Sequence, residues 1–232
     1  MTESSPISAP SEKLLKRLLI RFGFTVIIVG GLVFATAGSF RYWNGWLFMA
    51  ALFGPMMPVV VYLYVRHRTL LEKRLTLREK QKEQKAYVKL SLLWFLVTFA
   101  LPGFDYRLGW SDVPVWLVVA SAVVIIIGYV LFIVAMVQNS FASRVIELQA
   151  EQRVIDTGLY SLVCHPMYMA ASLMYAPCPL VLGSYYALIP TILLPLLLAF
   201  RIQNEEKLLR GGLAGYSEYA NRVRYRLIPF VW

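Results

Sequence analysis

Two short stretches hold most of the residues able to do chemistry. "GLYSLVCHPMY" sets Cys164, His165 and Pro166 at the entry to an apolar run, and "RIQNEEKLL" carries Arg201 with the pair Glu205–Glu206 at the exit from another. Pro166 suits the first position of a helix, where its missing N–H costs nothing. The N–H groups exposed by such a start favour a carboxylate or phosphate. Glu205 and Glu206 offer the opposite charge, suited to an amine or another cation. A site with donors on one wall and carboxylates on the other fits a zwitterion such as an amino acid. Tyr160, Tyr168 and Tyr186 add faces for a planar base or a cationic centre. Each feature alone also has a plainer reading: an interfacial histidine, a solvated and paired helix end, a turn glycine at Gly158, or an aromatic belt. Cys164 reads as a small packed residue.

What must position these groups is a membrane bundle. The chain has 232 residues, 59% hydrophobic and 16% charged, whereas soluble domains average about 45–50% and about 25%. Apolar stretches run over Leu18–Gly38, Trp43–Val65, Leu90–Phe104, Val113–Gln138, Pro166–Leu182 and Ser184–Phe200. Spanning needs about 20 residues, so these predict an all-α polytopic bundle of about six transmembrane helices. The last two are expected to form a tight hairpin about Gly183–Ser184, kinked by Pro177, Pro179, Pro190 and Pro195. Leu213, Tyr216, Tyr219, Ala220, Val223 and Leu227 predict a C-terminal amphipathic helix. The organisation expected is a disordered cytosolic tail over 1–15, a four-helix region over 16–138 with a basic connection at 66–89, and a ligand-binding region over 139–232.

With both termini in the cytoplasm, 21 of the 23 Lys and Arg residues fall on one side, as the positive-inside rule requires. The net charge of +10 is distributed between apolar runs, which points to membrane lipids rather than nucleic acid. Two cysteines and two distant histidines, His67 and His165, make neither a zinc site nor a disulfide framework. No metal is expected.

"RVIDTGLYSLVCHPMYMA" followed by "RIQNEEKLLRGGLAGYSEYANRVRYRLIP" resembles the C-terminal half of the isoprenylcysteine carboxyl methyltransferase family, which is similar to the phospholipid N-methyltransferases. The resemblance rests on Gly158 and Tyr160; Val163, His165, Pro166 and Tyr168; Arg201, Glu205, Glu206 and Leu209; and Tyr216, Tyr219 and Val223. It implies an integral membrane methyltransferase that uses S-adenosyl-L-methionine at its cytosolic side. Tyr160, Val163, His165, Pro166 and Tyr168 would line the cofactor pocket, Glu205 and Glu206 would hold its methionyl end, and Arg201 would face a lipophilic or lipid-linked acceptor. Cys164 departs from the pattern, because the family usually has arginine there, and this leaves carboxyl methylation less supported than cofactor binding. The terminal "YRLIPFVW" indicates a bacterial type of chain, hence a bacterial cytoplasmic membrane. The alternatives are an NADPH-dependent membrane reductase of the sterol reductase type and a non-enzymatic small-molecule transporter. The oligomeric state and the acceptor stay open.

Overall fold

The computed structural model describes residues 11–75, 82–139, 141, 148 and 151–232. Most of the expected tail over 1–15, part of the basic connection 66–89 and most of 140–150 lie outside the described residues. Among the described residues the secondary structure is entirely helical: α1 (Ser11–Ala37), α2 (Trp43–Phe53), α3 (Met56–Arg66), α4 (Arg68–Leu75), α5 (Lys82–Leu108), α6 (Val115–Gln138), α7 (Pro166–Tyr175), α8 (Cys178–Val181), α9 (Leu188–Thr191), α10 (Leu194–Gly212) and α11 (Tyr216–Arg222).

The sequence of α6, "VWLVVASAVVIIIGYVLFIVAMVQ", is rich in β-branched residues that stiffen the side chain and favour strands in water. It is nevertheless one continuous helix, because in hydrocarbon a lone segment can satisfy its backbone only by intrahelical hydrogen bonds. Among the described residues five helical segments are long and apolar enough to cross a membrane: Leu14–Ala37, Trp43–Arg66, Tyr87–Leu108, Val115–Gln138 and Leu188–Gly212. Their outward faces carry fully apolar side chains, such as Ile27 at 72% and Ile192 at 71% exposed. Water would make such a surface costly; lipid does not.

Six spans were expected, and the difference lies in Pro166–Leu182. That stretch is divided between α7 and α8, because Pro177 and Pro179 bring no N–H to continue the helical ladder. The segment still runs the length of the bundle. It starts beside Glu206 and ends where the carbonyls of Val181 and Leu182 accept bonds from Asn44 Nδ2 (3.0 Å) and the Tyr42 hydroxyl. α7 lies tight against α6 at Gly128, where an added Cβ would come within 2.9 Å of the Met174 nitrogen and 3.0 Å of the Ala170 oxygen. Small residues allow such backbone approach between membrane helices. The turn at Gly183 has φ +72°, a conformation open to glycine at no steric cost. Neither arm flanking it is a single uninterrupted helix, since α9 and α10 are also separate. The third expected stretch, Leu90–Phe104, proves to be part of the longer α5. The C-terminal amphipathic helix is shorter than its periodicity predicts, because the backbone turns extended at Val223.

Two ends are thereby defined. At one, the buried Asp105 accepts from the Ser111 N–H (2.8 Å), the Ser111 hydroxyl (2.7 Å) and the Ser184 hydroxyl, joining α5 to the turn before α9. Exposed Trp43, Trp46, Trp110 and Trp116 surround this end, as aromatic side chains do at a bilayer interface. The other end holds the residues singled out for chemistry.

Candidate functional site

The start of α7, the polar face of α10 and the short α11 converge on one cavity of about 850 Å³, its open mouth included. Asn139, at the end of α6, and the segment 152–155 complete the wall. The sequence dictates each placement locally. Arg201 and Glu205 are four residues apart on α10 and therefore share a face. His165 caps α7, and Pro166 occupies its first turn, where no donor is lost.

Tyr160 is carried by a single 3₁₀ turn, Gly158–Ser161. Gly158 has φ +61°, and a Cβ there would lie 2.3 Å from Gln138 Nε2. The backbone conformation favours glycine, and any larger residue would also displace the end of the Gln138 side chain. Gln138 Oε1 in turn accepts the Leu159 N–H at 2.9 Å. The Tyr160 hydroxyl accepts from Asn139 Nδ2 at 3.2 Å, and its carbonyl accepts from the Tyr219 hydroxyl at 2.7 Å.

Two polar clusters follow. In the first, the Tyr168 hydroxyl donates to Glu205 Oε2 at 2.6 Å and accepts from Arg201 Nε at 2.9 Å. The Arg201 guanidinium also lies over the Tyr87 ring, 4.9 Å from its centroid, a cation–π contact that fixes it from the α5 side. In the second, Glu206 Oε1 accepts from Arg226 Nε at 2.9 Å and lies 3.4 Å from His165 Nε2, while Oε2 is 3.7 Å from Arg210 Nη2. Adjacent carboxylates thus have different settings: Glu205 faces the cavity, and Glu206 is buried among cationic partners.

The thiol of Cys164 is buried and donates to the Val223 carbonyl at 3.2 Å. Burial, reinforced by the charge of Glu206, pushes it up to about 11 despite the counteracting Arg226 and Arg210, so it is held as the inert thiol. Burial foremost also raises Tyr216 and Tyr219 well above the ordinary phenol value. The Tyr219 hydroxyl is bonded to Tyr160, whereas the buried Tyr216 hydroxyl meets no hydrogen-bond partner among the described residues.

Of the residues singled out from the sequence, Tyr160, His165, Pro166, Tyr168, Arg201 and Glu205 line the cavity. Val163 is fully buried, and it and Glu206 are not among the lining residues. Tyr186 is at the opposite end, ring to ring with Trp110. Sequence reasoning gave no role to Gln138, to Tyr87 or to Arg226. Of these only Arg226 lies in the segment whose apolar periodicity predicts an amphipathic helix. The polar stretch Asn139–Ser143 falls mostly outside the described residues. Among the described residues no group of three or more His, Cys, Asp or Glu side chains is placed to hold a metal.

Residues 119–211 match the model of the isoprenylcysteine carboxyl methyltransferase (ICMT) family. The matched segment contains the cavity residues from Asn139 to Leu209 and stops short of Leu213, Tyr216 and Tyr219. The family is one of methyltransferases, and the several apolar helices agree with a multi-pass membrane protein. No curated protein matches the chain.

Proposed function

We propose that the cavity binds S-adenosyl-L-methionine and that the protein methylates a lipophilic acceptor in the membrane. The observation that carries this reading is the Arg201–Tyr168–Glu205 cluster on the cavity wall, within the segment that matches a methyltransferase family. The donor set fits a zwitterionic ligand with a planar base. Glu205 presents a carboxylate for an ammonium group, and the rings of His165 and Tyr168, 5.7 Å apart, offer faces to a cation or a heterocycle. The Tyr216 hydroxyl, buried in the cavity wall and without a protein partner among the described residues, is a polar group of the kind a bound ligand satisfies.

When bound, S-adenosyl-L-methionine supplies an electrophilic methyl group on a sulfonium. The chain's own part is to orient and to exclude water. Tyr168 fixes the Glu205 carboxylate and the Arg201 guanidinium with one hydroxyl. Leu208, Leu209, Leu213 and Phe141 provide apolar wall. Arg201, pinned by Tyr87 and Tyr168, presents fixed donors to an acceptor, and a carboxylate would suit that fork. His165, Pro166 and Tyr160 complete the cofactor wall. Glu206 and Val163 act from behind it. The acceptor's apolar part reaches the site through the bilayer, and the cavity end faces the cytoplasm together with both termini, consistent with the positive-inside charge distribution.

Calorimetric titration of the detergent-purified protein with S-adenosylhomocysteine tests the reading, with NADPH as comparison. Micromolar binding of S-adenosylhomocysteine alone is the expected result. Binding of NADPH alone would replace it with a reductase, and binding of neither would remove the cofactor assignment.

A further inference from the structure

After α11 the chain does not leave the protein but folds back over the start of α7. The Tyr225 carbonyl accepts the Cys164 N–H at 2.8 Å, and the Arg226 carbonyl accepts the His165 N–H at 3.0 Å. Leu227 is buried in a cluster with Trp94, Leu198 and Ile202. The tail also closes on itself, because the Trp232 carbonyl accepts the N–H groups of Leu227 (2.8 Å) and Ile228 (2.9 Å). Its Arg226 guanidinium lies over the Trp232 ring at 5.9 Å and donates from Nε to Glu206 Oε1 at 2.9 Å. That same oxygen is 3.4 Å from His165 Nε2.

Arg226 therefore grips the His165–Pro166 wall twice, by its carbonyl at the backbone and by its side chain through Glu206. Arg210 approaches Glu206 from the same helix at 3.7 Å but has no hold on α7. We propose that Arg226 is a positioning residue: acting through Glu206, it sets the place of His165 in the cavity wall. This rests on the reading of the cavity as a cofactor site. Arg226 is not itself among the lining residues, so its effect on a ligand is transmitted rather than direct. Without it the buried carboxylate keeps His165 and the longer Arg210 contact. A buried charge stripped of its nearest partner reorganises whatever polar groups remain within reach, here the imidazole of the wall.

The test is S-adenosylhomocysteine affinity of the full-length protein in detergent, with the unliganded thermal midpoint read in parallel. Arg226→Gln is expected to weaken binding about tenfold, a coupling of ordinary size for residues in one network. Arg226→Lys should restore most of that loss. Glu206→Gln combined with Arg226→Gln should bind better than the two separate losses would give, because a neutral amide no longer competes for His165. Arg222→Gln, which removes the exposed Arg222–Asp156 pair, should leave affinity unchanged. If Arg226→Gln does not fold, Arg226→Lys alone decides, with a two- to threefold loss expected at this level of perturbation. Wild-type affinity in Arg226→Gln, or in Arg226→Lys where the glutamine variant does not fold, or strictly additive losses in the double variant, would overturn the inference while leaving the cofactor site intact. Failure of the wild-type protein to bind would remove the cofactor reading and this inference with it.

Discussion

The Tyr168 hydroxyl stands 2.6 Å from Glu205 Oε2, within the range of a charge-assisted O–H···O⁻ bond. The Tyr168 oxygen also accepts from Arg201 Nε, so one phenol orients a carboxylate and a guanidinium together. The two charged groups are thereby held side by side on the cavity wall.

Tyr168→Phe keeps the ring and deletes that hydroxyl. S-adenosylhomocysteine should bind about tenfold more weakly, the loss expected for a hydrogen bond to a charged group. Titration calorimetry checks this. Unchanged affinity would mean that Glu205 needs no orienting partner.

The neighbouring glutamates should separate by phenotype. Glu205→Gln removes a carboxylate that faces the cavity, so ligand affinity should fall while the unliganded melting temperature moves little. Glu206→Gln takes the charge from a buried carboxylate with partners at 2.9 and 3.4 Å, and besides the affinity lost through His165 it should cost about 2 kcal/mol of stability. Thermal unfolding of both variants, with and without S-adenosylhomocysteine, distinguishes them. The same profile for both would erase the division of labour.

Much of this arrangement is legible in the sequence because the forces are local or periodic. The apolar lengths of α1, α2–α3, α5 and α6 announce membrane helices, Pro166 marks a helix start, and the Arg201–Glu205 spacing puts both on one face. What the sequence hides depends on partners far along the chain. Nothing in "QNS" says that Gln138 will clasp Gly158, nor in "YRLIP" that two carbonyls will leave the helical pattern to cap Cys164 and His165. The stretch Pro166–Leu182 is a related case. Hydropathy counts apolar residues, but Pro177 and Pro179 decide whether they form one helix. Adjacent glutamates look alike in sequence, and only the fold gives one to the cavity and the other to Arg226.

Tyr216 and Tyr219 offer a matched pair within α11. The Tyr219 hydroxyl donates to the Tyr160 carbonyl at 2.7 Å, so Tyr219→Phe should lower stability by about 1 kcal/mol. The buried Tyr216 hydroxyl has no partner among the described residues, so Tyr216→Phe should leave the unliganded protein at least as stable. Its effect should be confined to the liganded state, as a smaller melting-temperature rise with S-adenosylhomocysteine. Destabilisation of the free protein by Tyr216→Phe would show that the hydroxyl is bonded within the fold.

Cys164 gives the protein a predictable response to alkali. Its thiol is raised from 9.0 to about 11 by burial and by the nearby Glu206 charge. Below pH 9 the group is protonated in folded and unfolded chains alike, and its contribution to stability is fully present. As pH rises from 9 towards 11 the unfolded chain sheds a proton that the folded chain retains, and stability falls. The loss is on the order of 2 kcal/mol. Cys164→Ser keeps a donor for the Val223 carbonyl but cannot ionise in this range, so the variant should lose less stability than wild type between pH 9 and 11. Melting temperatures of the two proteins across that interval measure the difference directly. Parallel curves would mean that the thiol ionises as freely in the fold as in the unfolded chain, and that solvent reaches it past Val223 and Tyr219.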